Sequence, residues 1–486
     1  MSKIDDLAKI VGPKGVVTDK DVLSSFAMDN SFVSGKIPQC VVRPRNMGEV
    51  QGIIKLATLG GLSLIPCSSK GPRFRGDTIP VADDAVIVDL SGMDSIIRID
   101  KRNKVAMIEP GVTFGGLSTA VEKEGLRVVM PLLPRKTKSA VASILEREPT
   151  TIPKYHWDMS DPMCCIEVIF GTGDMFRTGS AAGPGTLEEQ WASGQAQKSP
   201  MGPSQSDFMK IMQGSQGTMG IVTWASVKLE LLPKIQKAFF VAAQDLSELI
   251  DFTYRILRPK LPDICLILNR TDLVSIYGGN KPANDLPPWV LFYSISGYEY
   301  LPEERVDYIE KDIADIAGQT RVKSEQSIAG ISAGNLLGLI SKPSGDPYWK
   351  LRSRGGCEDI FFLTTLDRAP EFVKAMNDEI KKHGFPEQNL GVYIQPIQQG
   401  RNCHIEFNLM YDPKGSEEME RVERLFDSAS KALMDMGGFF SRPYGQWSHL
   451  AYSKCLDTVT ALKKVKGILD PKGVMNPGKL CFAKEE

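Results

Sequence analysis

Nine cysteines are scattered through the 486 residues without a single C-x-x-C, and their number is odd. A disulfide framework is therefore not expected, nor an iron–sulfur cluster bound by this chain. Adjacent Cys164 and Cys165 lead into an apolar run at 166–170 and read as small core residues of a buried strand. Only four histidines are present, and no metal-ligand set is legible. No G-x-G-x-x-G follows a strand-like run, so a Rossmann dinucleotide site is unsupported. No stretch approaches the roughly 18 apolar residues of a membrane span. Charge is almost balanced, 58 basic against 59 acidic residues for a net −1, which gives no reason to expect nucleic acid or an anionic membrane as partner. Met1 to Asp6 opens with charges and has no apolar run of the secretory kind. A soluble, cytoplasmic protein is expected.

What is present is an ordinary globular composition, 42% hydrophobic and 24% charged, in a chain too long for one core. Residues 40–90 read strand–helix–strand, with apolar residues at helical spacing (Val50, Ile53, Ile54, Ala57) and Gly60-Gly61 as the stop. Strands are expected at 86–90 and 105–109, and Thr113 is a plausible N-cap for the helix after them. Residues 180–205 turn polar and rich in Gly, Pro and Ser, and read as one long loop. From about 236 to 450, strand-like runs (238–243, 290–295, 360–366, 405–411) alternate with charged amphipathic helices (302–317, 369–383, 415–436). That pattern implies an antiparallel sheet backed by helices, and the chain as a whole reads α+β. The expected division is 1–236, 237–450 and a tail, 451–486, that rejoins the first unit.

A relay of glycine-marked segments carries the strongest signal. It runs from Ser69-Lys70-Gly71 to Gly76-Asp77, then Glu109-Pro110-Gly111-Val112-Thr113, then Gly214-Ser215-Gln216-Gly217-Thr218-Met219-Gly220-Ile221-Val222-Thr223. Asn476-Pro477-Gly478-Lys479 closes it near the C-terminus. Loops of this kind let backbone N–H groups approach a ligand closely, as a pyrophosphate requires. The spacing Gly71 to Gly76 mimics a phosphate loop of the nucleotide triphosphatases, but the lysine is missing and Asp77 would repel phosphate.

In that order, the segments resemble the FAD-binding oxidoreductases of the vanillyl-alcohol-oxidase / p-cresol-methylhydroxylase type, a family that includes glycolate oxidase and D-lactate dehydrogenase flavin subunits. The resemblance implies a two-domain fold, an FAD-binding domain with a cap of antiparallel sheet plus helices. It implies Ser69, Gly71 and Gly76 in the pyrophosphate loop, where Pro72 removes one N–H and Arg73 and Arg75 add charge. Pro110 and Gly111 match the family's strand–turn–helix. Ser139 to Glu148 resembles the stretch against the flavin ring, with Ala142 and Ser143 in place of paired glycines. Gly214, Gly217, Thr218, Gly220, Ile221 and Val222, together with Asn476, complete the implied cofactor set.

For the chemistry, the resemblance points to Arg442, where a phenol-oxidising relative presents tyrosine then arginine; the tyrosine position is Ser441, and Tyr444 is an alternative phenolic partner. His404 is the first choice for general base and falls one residue short of the position of a covalent flavin link, so non-covalent FAD is expected. The catalytic aspartate of the phenol-oxidising branch maps to His156 counting forward and to Asp158 counting back; both stay open. Arg401 is a further carboxylate contact, and Asp161 reads as a turn cap. Arg352 and Arg354 read as a basic turn rather than an anion clamp. The implied reaction is oxidation of a small 2-hydroxy acid of the glycolate or D-lactate class by hydride transfer to flavin N5. An aromatic alcohol, a para-substituted phenol or an aliphatic alcohol is the alternative, and a flavin-carrying scaffold subunit a third. A protein acceptor, such as an iron–sulfur or other electron-transfer subunit, is expected for the electrons, and a homo-oligomer stays open.

Overall fold

Asn46 starts the helix Met47–Gly60 by accepting a hydrogen bond from the Glu49 N–H at 3.0 Å, and Gly61 ends it in left-handed backbone, φ 66°. Its buried face, Val50, Ile53, Ile54 and Ala57, covers one side of a small sheet. In that sheet Cys40–Val42, Ala85–Asp89 and Ser63–Cys67 run parallel, with Val16–Val17 antiparallel at one edge. The computed structural model describes residues 3–155, 161–203, 208–278 and 285–482. The candidates His156 and Asp158 lie outside the described residues.

A second, antiparallel sheet follows in the order Ile96–Asp100, Val105–Ile108, Gly220–Leu231, Met163–Phe170, Met175–Arg177, and Leu126–Val128 pairs with the far end of Gly220–Leu231. Thr113 caps the helix Phe114–Glu122 on the Gly116 N–H. Gly111 has no room for a side chain, because a Cβ there would lie 2.7 Å from the carbonyl oxygens of Leu90, Ser91 and Met93. The polar stretch 180–205 is not one loop: Thr186 and Glu189 form a reciprocal capping box that starts a helix, Leu187–Ala192. The capping pair decides locally what Gly/Pro/Ser content does not.

The third sheet has seven strands, ordered Ser324–Glu325, Ile235–Ala243, Trp289–Gly297, Ile264–Asn269, Leu390–Ile397, Asn402–Tyr411, Gly356–Thr364, all antiparallel. Helices Ser247–Leu257, Pro302–Thr320, Ala369–Lys382 and Ser416–Asp435 cover one face through a single apolar core. Along Asn402–Tyr411 the side chains alternate. Cys403, Ile405, Phe407 and Leu409 enter that core, and His404, Glu406 and Asn408 point the other way. All seven are buried, so the polar face looks into the molecule rather than into water.

The C-terminal segment returns to the first sheet. Leu64 N–H donates to Val474 O at 2.7 Å and Asn476 N–H to Leu64 O at 2.9 Å, beside Ser63–Cys67. Among the described residues no helix is long and apolar enough to cross a membrane.

Gly111→Ala is expected to cost about 1–3 kcal/mol of stability through those three carbonyls. A thermal melt matching the parent would show that the turn has more room than its geometry gives.

Candidate functional site

Between the glycine-rich loops of the first half and the polar end of the inner face of the seven-stranded sheet lies a cavity, about 1600 Å³ of space counted together with its opening to solvent. Of the residues expected to bind a cofactor, Ser69, Arg73, Arg75, Pro110, Gly214, Gly217, Gly220, Ile221 and Val222 line it. The others do not form its wall. Gly71 sits exposed at the outer tip of its loop. The Gly76 N–H donates to Asp29 at 2.7 Å, and its carbonyl accepts from Lys479 Nζ at 2.6 Å. Ser139 Oγ donates to Pro110 O, and Ser143 Oγ donates to Glu148. Thr218 Oγ1 donates to Ser215 O at 2.7 Å. Asn476 Nδ2 bridges Asp77 O at 2.9 Å and Gln216 O at 2.6 Å, so it ties the two glycine loops together from behind.

Those loops are shaped for close approach. Gly214 and Gly217 both have φ 71°, and a Cβ on Gly217 would fall 2.5 Å from Pro66 Cγ. Thr78, one residue beyond Asp77, lines the cavity with a buried Oγ1 that has no hydrogen-bond partner among the described residues. An orphaned hydroxyl beside permissive glycine backbone suits the phosphate and ribose oxygens of a dinucleotide.

The opposite wall is ionic, and most of its parts come from sequence positions without a motif. Lys350 Nζ lies 2.7 Å from both Asp359 Oδ2 and Glu406 Oε1, with all three side chains buried. Arg75 reaches across from the glycine-rich half to Asp359 at 3.0 Å and stacks over Phe361, 4.5 Å from the ring centroid. Its charge is therefore already met by protein. Lys138 makes a second node, 2.7 Å from Glu146 and 2.9 Å from Glu148. Burial works against the Glu148 carboxylate, yet Lys138 and the Ser143 hydroxyl hold it down at about 2, while burial pushes Glu146 up.

His404 is 1% exposed, with Nε2 at 3.4 Å from Glu406 Oε2 and the Phe361 and Tyr393 rings on either side. Burial, reinforced by the Arg442 and Lys350 charges, draws its pKa down to about 4 despite Glu406. Burial would raise Glu406 itself, but Lys350 and the imidazole hold that carboxyl well below its ordinary range. Tyr444 lines the cavity as a neutral phenol, pushed up by burial and by the Glu146 and Asp77 charges.

Arg442 is 4% exposed and lies flat over Phe361, 4.1 Å from the centroid. Among the described residues it makes no ion pair and no hydrogen bond. Its loop is held from both sides: Arg147 donates to Ser441 O, and Gln216 Nε2 donates to Pro443 O at 2.9 Å. The remaining basic candidates serve elsewhere. Arg352 donates to Pro347 O and Ile276 O, Arg354 pairs with Glu418, and Arg401 is exposed away from the cavity wall.

Lys350, Asp359, Glu406 and Phe361 were not singled out from sequence. The available signal was the alternation of Asn402–Tyr411, which by itself says amphipathic strand and leaves open which face meets water.

Two family models match this chain: FAD binding domain over residues 38–179, and FAD linked oxidases, C-terminal domain, over 358–480. The glycolate oxidase subunit GlcD of Bacillus subtilis (strain 168) is 23% identical, over 99% of this chain and 97% of its own. The D-2-hydroxyglutarate dehydrogenase of Stutzerimonas stutzeri (strain A1501) is also 23% identical, over 99% of each. Among solved structures, p-cresol methylhydroxylase with substrate bound superimposes with a TM-score of 0.85 at 19% identity, over 99% of this chain and 96% of that one.

Lys350→Met is expected to cost about 3–5 kcal/mol, since it leaves the buried Glu406 carboxylate without its cation and Asp359 with Arg75 alone. Adding Glu406→Gln should recover part of the loss in a thermal melt. A single variant as stable as the parent would mean the node is not held as described.

Proposed function

The chain belongs to the FAD-binding oxidoreductases of the vanillyl-alcohol-oxidase / p-cresol-methylhydroxylase type, enzymes acting on CH–OH donors, and from that premise we propose that its substrate is a small 2-hydroxy acid of the glycolate or D-lactate class. The observation that carries this reading is Arg442, a buried cation on the cavity wall that no carboxylate of the described residues meets at ion-pair distance, Glu148 and Glu406 acting on it only from further away. A guanidinium in that state selects an anion, and a planar carboxylate fits its paired N–H groups.

Bound FAD supplies the hydride-accepting chemistry. The Ser69 and Thr78 side chains and the backbone of Gly214 to Val222 would hold the cofactor without a covalent link, and Lys138 with Glu146 and Glu148 fixes the Ser139–Glu148 stretch beside it. Arg442 binds the substrate carboxylate. His404 takes the hydroxyl proton, because its buried ring is neutral at physiological pH and keeps a lone pair for it. Glu406, charged through Lys350, orients the imidazole and stabilises it once protonated. Electrons then pass to a separate protein acceptor. Residues 1–236 with 451–486 form the cofactor-binding unit in this reading, and 237–450 the cap.

A phenolic substrate keeps one support. Tyr444 and Arg442 both line the cavity, so a tyrosine–arginine pair exists although Ser441 replaces the expected tyrosine. Anaerobic addition of glycolate, D-lactate or a para-substituted phenol to the yellow protein separates the readings, since only the true class bleaches it. With a 2-hydroxy acid, Arg442→Ala is expected to lower kcat/KM by roughly thirty-fold or more, the cost of a lost buried charge partner. Equal bleaching of parent and variant would remove Arg442 from the substrate site.

The His404 pKa also fixes a pH profile. A base depressed to about 4 stays deprotonated down to acid pH, so kcat/KM should change by no more than about two-fold between pH 8 and pH 5. A histidine at its ordinary value would lose about thirty-fold over that interval. Such a loss would argue against His404 as the base.

A further inference from the structure

Behind the Arg75–Asp359 pair lies a second pocket, about 680 Å³ of open space, which shares Phe74, Arg75, Asp359 and Tyr444 with the large cavity as a common partition. Its own walls differ in kind from those of the first. Phe32, Phe426 and Trp447 form a contiguous aromatic surface: Phe426 stacks on Trp447 at 5.3 Å, and Phe32 meets Phe426 edge-on at 6.4 Å. Glu358, Asp359, Glu423 and Asp427 bring four carboxylates, against Arg75 as the one lining cation among the described residues.

Glu358 is the anomalous member. It sits on the face of Gly356–Thr364 that the helices cover, paired across the sheet with Leu409 of the apolar core. It is 7% exposed and has no hydrogen bond and no ion pair among the described residues. Burial, and then the Asp359 charge, push its carboxyl well above the ordinary range. A carboxyl in an apolar layer with no partner is a standing cost unless something occupies the pocket with it.

We propose that this side pocket binds a small organic cation, an alkylammonium or quaternary ammonium group, with Glu358 as its counter-ion and Phe32, Phe426 and Trp447 as the aromatic wall. Aromatic faces attract a bulky, weakly hydrated cation, and the Glu358 carboxyl, held towards its neutral form while the pocket lacks a cation, supplies the charge by releasing its proton to water as the cation enters. A metal ion fits less well, because no three His, Cys, Asp or Glu side chains of the described residues are arranged to hold one. Rings, which give a metal no ligands, make up much of the wall. The site is independent of which alcohol the enzyme oxidises.

Calorimetric titration of the FAD-loaded protein with tetramethylammonium chloride tests this, with sodium chloride as control. Saturable binding with a Kd on the order of 1 mM is expected, and no saturable heat with sodium. Glu358→Gln should weaken binding about ten-fold or more, and Glu423→Gln, at the exposed rim, less. Because the carboxyl is already held towards its neutral form, the Gln variant should melt no lower than the parent, which separates lost binding from lost fold. Three results would each overturn the proposal: no tetramethylammonium binding, equal heats with sodium, or a Glu358→Gln variant that melts normally and binds as tightly as the parent.

Discussion

Lys350 between Asp359 and Glu406 is the contact on which the rest of this structure depends. A β-sheet with one apolar and one polar face normally turns the polar face to water. Here the polar part of the second face, on Asn402–Tyr411 and Gly356–Thr364, is turned inward against the glycine-rich loops, while Phe240, Leu266, Leu268 and Phe292 make the rest of that face apolar, so its charges must be satisfied by each other. Two cations, Lys350 and Arg75, stand against two carboxylates, Asp359 and Glu406, and the set is close to neutral. Burying four charges costs several kcal/mol per ion unless they are paired this closely. The pairing lets charged groups form part of the wall of a cavity inside the protein.

The same node sets the geometry on both sides. Arg75 belongs to the glycine-rich half and Asp359 to the edge strand of the sheet, so their ion pair joins segments 284 residues apart. From it the polar face runs in register along neighbouring strands: Glu406 is opposite Phe361 and Tyr393, and His404 opposite Leu363 and Gln395. His404 is thus held by strand pairing rather than by a loop. Arg442 is on a loop, but that loop is fastened at Ser441 and Pro443 by side chains of Arg147 and Gln216 from the other half. One of the groups assigned to substrate is thus fixed by pairing within its own sheet and the other by contacts from the opposite half, which favours a preorganised site.

Local chemistry was legible in the sequence; charge pairing was not. The helix at Met47–Gly60, the Thr113 cap and the strands of the large sheet follow from apolar spacing and capping residues that act within a few positions. The glycine relay was legible because backbone that must pass close to something excludes a Cβ, as at Gly111 and Gly217. Lys350 and Asp359 left no such mark. A lysine and an aspartate nine residues apart look like any solvated pair, and only the fold brings them between His404 and the glycine loops. Arg75 was legible as a cavity residue, but its Asp359 partner could not be read from the chain. The helix within 180–205 was missed for the opposite reason, since a four-residue capping box outweighed the composition of the whole stretch.

Two ionisable groups that have no ion pair among the described residues, Arg442 and Glu358, stand on either side of the Arg75–Asp359 partition. On the cavity side Arg442 lies over Phe361 without a carboxylate. On the far side Glu358 sits in the helix-covered face without a cation. Strand geometry links them, because Glu358 and Asp359 are consecutive residues and must point to opposite faces of one strand. The edge strand Gly356–Thr364 therefore presents one carboxylate to each compartment, and only the one at Asp359 is neutralised by protein. A buried ionisable group without a partner is tolerated where a ligand completes it, so under the two proposals the compartments would take ligands of opposite charge. The shared wall of Arg75, Asp359 and Tyr444 keeps the anion of the large cavity and the cation of the side pocket within electrostatic reach of each other. A cation bound beside Glu358 would compete with Arg75 for the field of Asp359, and through Lys350 that field extends to Glu406 and His404. The strand that anchors the polar face is thereby also the element through which the side pocket can alter the proton-accepting end of the site.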